Sequence, residues 1–364
     1  MCALYRPRLA LGAAIGLAFL TTPVAADPIT VTDLTGRQIE LAGPAERIVA
    51  FPVPTASVVI ALDGGIGRLA ALHPEAKVAI EDGILGEFFP GAIELPSNIL
   101  ADGAMRGRKP DVAAVQALDP DLVVQWEHAG PDAEVLLDAG LPTALLLFGS
   151  EEYIRNAIGM LGDAIGRPDK VAELMAWRDE TSDAIAEGLA GVDESDKPKV
   201  AYFFYAITDL HTEGTGTFAD WQINHVGGLN AAAGMEGWGQ VDIEEVAAWN
   251  PDIILLGTFE RGLHIDRILD EPILRGTNAV MNKRVYKMPL GGYRWEPASH
   301  ESPFTWMWLA NLLHPDRFDF DVRGAVAEWY PKLYGHAPTE VQIDGILQME
   351  MNSASAGYDV FAAK

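Results

Sequence analysis

Two stretches in opposite halves of the chain share one local plan: Val112–Val124 reads VAAVQALDPDLVV and Ile243–Leu255 reads IEEVAAWNPDIIL. Each is a helical segment that ends at Pro-Asp and runs straight into an apolar strand. Proline cannot continue a helix, and the aspartate opens the turn into the strand. One such unit is common and says little. Two of them, one per half and equally spaced, point to two lobes of similar build.

The rest of the chain agrees. From Asp27 onward, short β-branched or apolar runs alternate with helical stretches, which is the pattern of an α/β layer architecture. Strands are expected at 48–51, 69–72, 122–125 and 143–147, and again at 200–205, 253–257 and 285–288. A single large sheet would have to explain what separates the two sets. Between them lies a helical stretch from Glu151 to about Gly191, broken once at Gly166-Arg167-Pro168. Its second part keeps Val171, Leu174, Met175, Ile185 and Leu189 apolar with charges between them. A helix of about twenty residues spans roughly 30 Å, enough to bridge two lobes along one side. The expected division is a signal segment at 1–26, a first lobe at 27–167, a connecting helix at 168–191, and a second lobe with C-terminal helices at 192–364.

The amino terminus carries Arg6 and Arg8, an apolar run from Leu9 to Leu20, and Val24-Ala25-Ala26. A basic start, a short apolar core and an Ala-x-Ala-like end read as a cleavable export signal, with cleavage near Ala26. The twelve residues of the apolar run fall short of the roughly twenty that cross a bilayer. Cys2, the only cysteine, lies ahead of that run, so a mature chain has no thiol for disulfides, thiolate metal sites or nucleophilic catalysis. Losing two arginines and no acid takes the formal charge from −26 to −28. Such a field repels nucleic acid and anionic membrane surfaces. A small anionic ligand is still admissible where local cations dominate, because distant carboxylates are screened beyond roughly 10 Å.

Five segments stand in a fixed order: Asp33-Leu-Thr-Gly-Arg37 with Pro44 and Arg47-Ile-Val49, Leu118-Asp-Pro-Asp-Leu-Val-Val124, Gly227-Gly-Leu-Asn230, Asp242-Ile-Glu-Glu-Val246 and Trp249-Asn-Pro-Asp-Ile-Ile254. Taken in that order they resemble the periplasmic binding proteins that serve ABC importers of ferric siderophores, haem and cobalamin, with relatives that bind molybdate or nickel chelates. The resemblance covers nearly the whole chain after residue 26. It implies two Rossmann-like lobes joined by one rigid helix, a ligand cleft between them, a periplasmic location, a permease and its ATPase as partners, and a monomer with no cofactor of its own. It also implies one docking glutamate per lobe. Glu244 fills that position in the second lobe, whereas the first lobe has Ala113 there, with Asp111 close by as a substitute.

In open α/β lobes, ligands sit outside the carboxyl ends of the strands. Arg106-Gly-Arg108-Lys109 is the densest cationic spot in an acidic chain, and guanidinium groups match carboxylate, catecholate or oxyanion oxygens. Trp126 and His128 follow one strand, and Tyr205 ends another. Gly291-Gly-Tyr293-Arg294-Trp295-Glu296 puts two aromatics and an arginine on a glycine-led loop, where rings can cover an apolar ligand and the arginine its charge. Core packing is the competing reading for Trp295, and the Trp306, Trp308, Leu309 stripe is assigned to the core. His73, His128, His211 and His264 all fall near expected strand ends, so direct metal binding depends on whether they converge. The expected ligand is a ferric siderophore-like metal chelate, with molybdate or tungstate, cobalamin, haem or a nickel chelate as alternatives in the same role. An exported enzyme is the reading from another class; no Gly-x-Ser-x-Gly or His-Glu-x-x-His motif supports it.

Overall fold

The computed structural model describes residue 1, residues 27–101 and residues 109–363. A short antiparallel hairpin, β1 (Ile29–Thr32) and β2 (Gln38–Leu41), comes first. Asp33 closes its turn by accepting from Thr35 and Arg37, and its second oxygen takes the backbone N–H of Leu145. The Asp33-to-Arg37 motif therefore pins the hairpin to the first lobe.

That lobe holds a four-stranded parallel sheet in the order β4-β3-β5-β6, from β3 (Ile48–Ala50), β4 (Leu69–Leu72), β5 (Leu122–Trp126) and β6 (Thr143–Leu146). Around it lie α1 (Thr55–Asp63), α2 (Pro74–Asp82), α3 (Leu85–Phe88), α4 (Val112–Ala117), α5 (Pro131–Asp138) and α6 (Glu151–Ile165). The connecting helix is α7 (Pro168–Gly188). The break before it has a local cause. Gly166 adopts a left-handed φ of 70° at the end of α6, and Pro168 takes a first-turn position of α7, where no N–H is needed.

The second lobe has its own sheet, in the order β10-β8-β7-β11-β12 with β9 also on β7. Its strands are β7 (Lys199–Tyr205), β8 (Leu210–Glu213), β9 (Leu229–Asn230), β10 (Trp238–Val241), β11 (Ile253–Leu256) and β12 (Val285–Lys287). β7, β11 and β12 run parallel, while β8 and β10 are antiparallel additions at one edge. Its helices are α8 (Phe218–His225), α9 (Ile243–Trp249), α10 (Asp266–Leu269), α11 (Asn278–Met281), α12 (Ser302–Leu313), α13 (Val322–Tyr334) and α14 (Glu340–Ile346).

The Pro-Asp echo does the same work twice. Asp121 accepts the backbone N–H groups of Glu46 and Arg47 at 2.9 and 2.7 Å, just before β3. Asp252 accepts the N–H of Lys199, the first residue of β7, at 2.9 Å. The residue before each proline is left-handed, with φ 48° at Asp119 and 46° at Asn250. Each aspartate thus ties the new strand to the start of the lobe's first strand.

Each lobe packs a private core, and the two also share a larger one. Alternate residues of a strand face opposite sides of the sheet. Val49 and Val123 face a private core of the first lobe, and Ala201, Phe203, Ile254 and Leu256 a private core of the second. The other faces, Ile48, Leu122 and Val124 in one sheet and Val200, Tyr202, Ile253 and Leu255 in the other, belong to one continuous apolar layer shared with α1, α6, α7, α12 and α13. Trp177 of α7 stacks on Trp329 of α13 at 4.3 Å and meets Phe304 of α12 edge-on at 4.7 Å. The lobes share this layer because α12 is buried on every side and needs apolar neighbours all round.

Candidate functional site

The strand ends of both lobes open onto one groove. In the first lobe β5 ends at Trp126, and β6 leads into Leu147-Phe148-Gly149. These segments, with Pro54, Thr55 and Tyr153, line a narrow recess of about 20 Å³ whose lining also includes Ala298 of the second lobe. An aromatic chain crosses the groove. His128 stacks on Trp126 at 5.4 Å, Trp126 meets Phe148 edge-on at 5.5 Å, and Phe148 stacks on Trp238 of the second lobe at 5.7 Å. Elsewhere between the lobes, Arg261 from the loop after β11 pairs with Asp82 at 2.6 Å and Glu81 at 3.3 Å in the first lobe. The lobes are bridged by these aromatic and ionic contacts, and elsewhere by the backbone hydrogen bond from Ile84 to Gly291 and the side-chain hydrogen bond from Gln342 to Glu87.

Tyr205, half-buried at the end of β7, packs edge-on against Phe259 at 6.0 Å and His211 at 5.8 Å. Phe259 in turn lies under the guanidinium of Arg294, 4.8 Å from the ring centre. Arg294 is buried and donates to the carbonyl and, at 3.1 Å, to the hydroxyl of Thr258. Tyr293 and Trp295 are buried as well. Of the residues expected to meet a ligand, Trp126, His128 and Tyr205 retain exposed surface, whereas Tyr293, Arg294 and Trp295 form the packed layer beneath. Arg106 and Arg108 lie outside the described residues.

That packed layer is organised by a group absent from the sequence-based expectations. Glu301 is fully buried and accepts the backbone N–H groups of Gly292 and Tyr293, the indole of Trp295 and the hydroxyl of Tyr334. Burial pushes its carboxyl above the usual range against those four donors. Gly291 and Gly292 have no room for a side chain: a Cβ on either would strike the hydroxyl of Tyr330 or Tyr334. His300 beside it bonds to Tyr334 at 2.6 Å, and burial lowers its pKa to about 3, so it is neutral. Arg178 of α7, also fully buried, forms a two-pronged pair with Glu151 at 2.8 and 2.5 Å, donates to the carbonyl of Ser299, and lies over Trp306.

A second polar cluster lies below the ends of β7, β11 and β12. Glu296 accepts from the N–H and hydroxyl of Thr258, while its other oxygen has no hydrogen-bond partner among the described residues. Lys287 donates to the carbonyl of Gly257, and burial pulls its pKa down to about 8. Glu213 is lifted to about 7, mainly by burial, although Ala219, Trp238 and Thr217 donate to it and oppose the rise.

The histidines do not converge. His73 caps α2 by accepting from Glu75, His211 packs on Tyr205, and no group of three or more His, Cys, Asp or Glu suited to a metal occurs among the described residues. Asp111 caps α4 through the N–H of Ala114, and Ala113 stands exposed in that helix's first turn. Glu244 stands exposed in the first turn of α9, the counterpart of α4.

Comparison with known proteins places this geometry. Residues 103–290 match the family model described as periplasmic binding protein. The molybdate-binding protein MolA of Haemophilus influenzae is 23% identical over 342 residues, covering 87% of this chain and 94% of its own. The iron(3+)-hydroxamate-binding protein FhuD of Bacillus subtilis is 23% identical over 252 residues, covering 63% and 78%. A crystal structure of a periplasmic solute binding protein from Veillonella parvula superposes with a TM-score of 0.81 at 29% identity, covering 90% of this chain and 99% of its own. No helix among the described residues is long and apolar enough to cross a membrane. With two α/β lobes, a connecting helix and a groove between the strand ends, this chain belongs to the periplasmic binding protein family.

Proposed function

We propose that the groove captures a small metal chelate of the ferric siderophore class and that the protein hands it to the permease and ATPase of an ABC importer. In this reading residues 1–26 direct export and are removed, residues 27–167 and 192–364 are the lobes, and residues 168–191 connect them. The protein acts as a monomer and turns over no substrate. The observation that carries the ligand class is the aromatic wall: His128, Trp126, Phe148 and Trp238 follow one another across the groove, and Tyr205 and Phe259 pack together in the second lobe. An organic chelate offers apolar and π surface to such a wall, and a bare oxyanion does not. Arg106 and Arg108 supply the positive charge for its carboxylate or catecholate oxygens, with Arg294 fixed below through Phe259. Glu244 and Asp111 dock the permease from the first turns of paired helices; Asp111 does so with one oxygen engaged in its own cap.

Oxyanion capture, of molybdate or tungstate, is the second reading, favoured by the likeness to MolA over 94% of that protein. Titrating the purified protein with ferric hydroxamate and catecholate chelates and with molybdate, and following tryptophan fluorescence, separates the two. Quenching by a chelate that is weakened in Trp126→Ala and Arg106→Ala supports the first. Response to molybdate alone transfers the assignment to the second.

A further inference from the structure

We propose that Trp238 is a cross-lobe clasp that sets the width of the groove, gripped in its own lobe by Glu213 and seated on Phe148 of the first lobe. This rests on the reading of the groove as the ligand cleft and adds how its opening is controlled.

Three observations carry it. Trp238 begins β10 directly opposite Glu213 of β8, and its indole donates to that carboxyl. The ring then reaches the other lobe, stacking on Phe148 at 5.7 Å and 30°. Phe148 is at the same time a wall of the recess and the partner of Trp126, so the clasp fixes a surface that a ligand would touch. Third, the lobes meet here through backbone as well: a Cβ on Gly149 would lie 3.5 Å from the carbonyl of Gly216. Although Trp238 is 56% exposed, it is held from two sides.

The grip depends on charge. An ionised carboxylate accepts an indole N–H more strongly than a neutral one does. Around Glu213 stand Tyr202 of β7 and Glu296 of the loop after β12, which bear on it electrostatically, with Arg294 close to both. Asp220 of α8 shares the Asn230 amide with the Glu213 carbonyl, and the donors are Ala219, Thr217 and Trp238. Burial and the Glu296 charge both favour the protonated form. The clasp therefore loosens as pH falls through neutrality and tightens above it.

The test needs no ligand, so its outcome is independent of whether chelates bind. With Cys2→Ser removing the single thiol, cysteines at the exposed positions Glu152 and Ala233 carry spin labels, one per lobe, and the distance distribution is measured by pulsed dipolar spectroscopy at pH 6 and pH 8. The parent should give a shorter, narrower distribution at pH 8 than at pH 6, with a midpoint near the Glu213 value of about 7. Trp238→Ala and Phe148→Ala should give the long, broad distribution at both. Glu213→Gln keeps an acceptor but cannot ionise, and should lose the pH response. Trp238→Phe keeps a ring for Phe148 but no donor, and should also lose it; circular dichroism checks that each variant is folded. An unchanged distribution in Trp238→Ala and Phe148→Ala overturns the clasp, and a full pH response in Glu213→Gln overturns its control by that residue.

Discussion

The two lobes are built on one scheme and finished differently. Both start a parallel sheet from a strand held by a Pro-Asp aspartate, Asp121 in one and Asp252 in the other. Beneath its strand ends, the first lobe buries Gln125 and His73, whereas the second buries Lys287, Arg294, Glu296 and Glu301. Charges taken out of water are costly unless hydrogen-bonded and paired. Here most of them are engaged by backbone groups of the 257–258 and 292–293 turns, which fixes those turns in one arrangement. The first lobe relies on packing of rings and loops at its rim. In the proposed reading the buried charges of the second lobe hold its loops in shape, and both lobes supply rings to the groove wall.

The shared layer between them offers the hardest blow to this picture. Arg178→Met should cost about 3–5 kcal/mol, because it leaves the Glu151 carboxylate without its buried partner. Urea unfolding measures it; a loss below about 1 kcal/mol would mean that the layer does not depend on this pair. Next in size are the private cores, where Leu256→Ala should cost about 2–5 kcal/mol. Hydrogen exchange should then rise in β7, β11 and β12 while β3 and β5 keep their protection, since Leu256 contributes to the second lobe's outer core only. Trp177→Ala, in the shared layer, should raise exchange in both sheets. Equal spread from the two substitutions would abolish the distinction between private and shared cores.

The Pro-Asp echo predicts a smaller, matched pair of effects. Asp121→Ala orphans two backbone N–H groups, and Asp252→Ala one N–H plus the amide of Asn278. Each should lose about 0.5–1.5 kcal/mol, because water can reach the freed N–H groups of Glu46 and Arg47, with the two values close to one another in parallel thermal melts. A large effect at one site and none at the other would make the repeat a likeness of sequence without a likeness of function.

Much of this fold was readable along the chain, for a physical reason. The seven strands expected from the sequence are predominantly apolar runs because they are buried on both faces. The breaks at Gly166-Arg167-Pro168 and at the two Pro-Asp turns are enforced by backbone chemistry. β8 and β10, reading LHTE and WGQV, escaped because short antiparallel strands with one wetter face carry little apolar signal. Arg178 did leave a trace: with Leu174, Trp177, Thr181 and Ile185 it lies on the buried face of α7, at spacings of three and four. Glu301 also had one, as a lone acid heading the uncharged, mostly apolar run of α12. The Phe148 and Trp238 contact had none. It joins residues from different lobes, and nothing local to either marks its partner.

The smallest effect concerns how the second lobe's charges respond to pH. Glu213 is held at about 7 in the folded chain, above the ordinary glutamate value of about 4.3 in an unfolded one. Between those values the native protein binds more protons than the unfolded chain, so this group makes stability fall as pH rises from about 4.5 toward 7. Lys287 acts in another window. Its folded value of about 8 lies below the ordinary lysine value of about 10.4, so the native state binds fewer protons there and its contribution to stability grows from pH 8 upward. Thermal melts across pH 5 to 9 should show the acid-side slope diminish in Glu213→Gln and the alkaline limb persist. Should the slope survive that substitution intact, the titrating group lies elsewhere, and the second lobe's charges are then more firmly clamped than the first lobe's neutral contacts require.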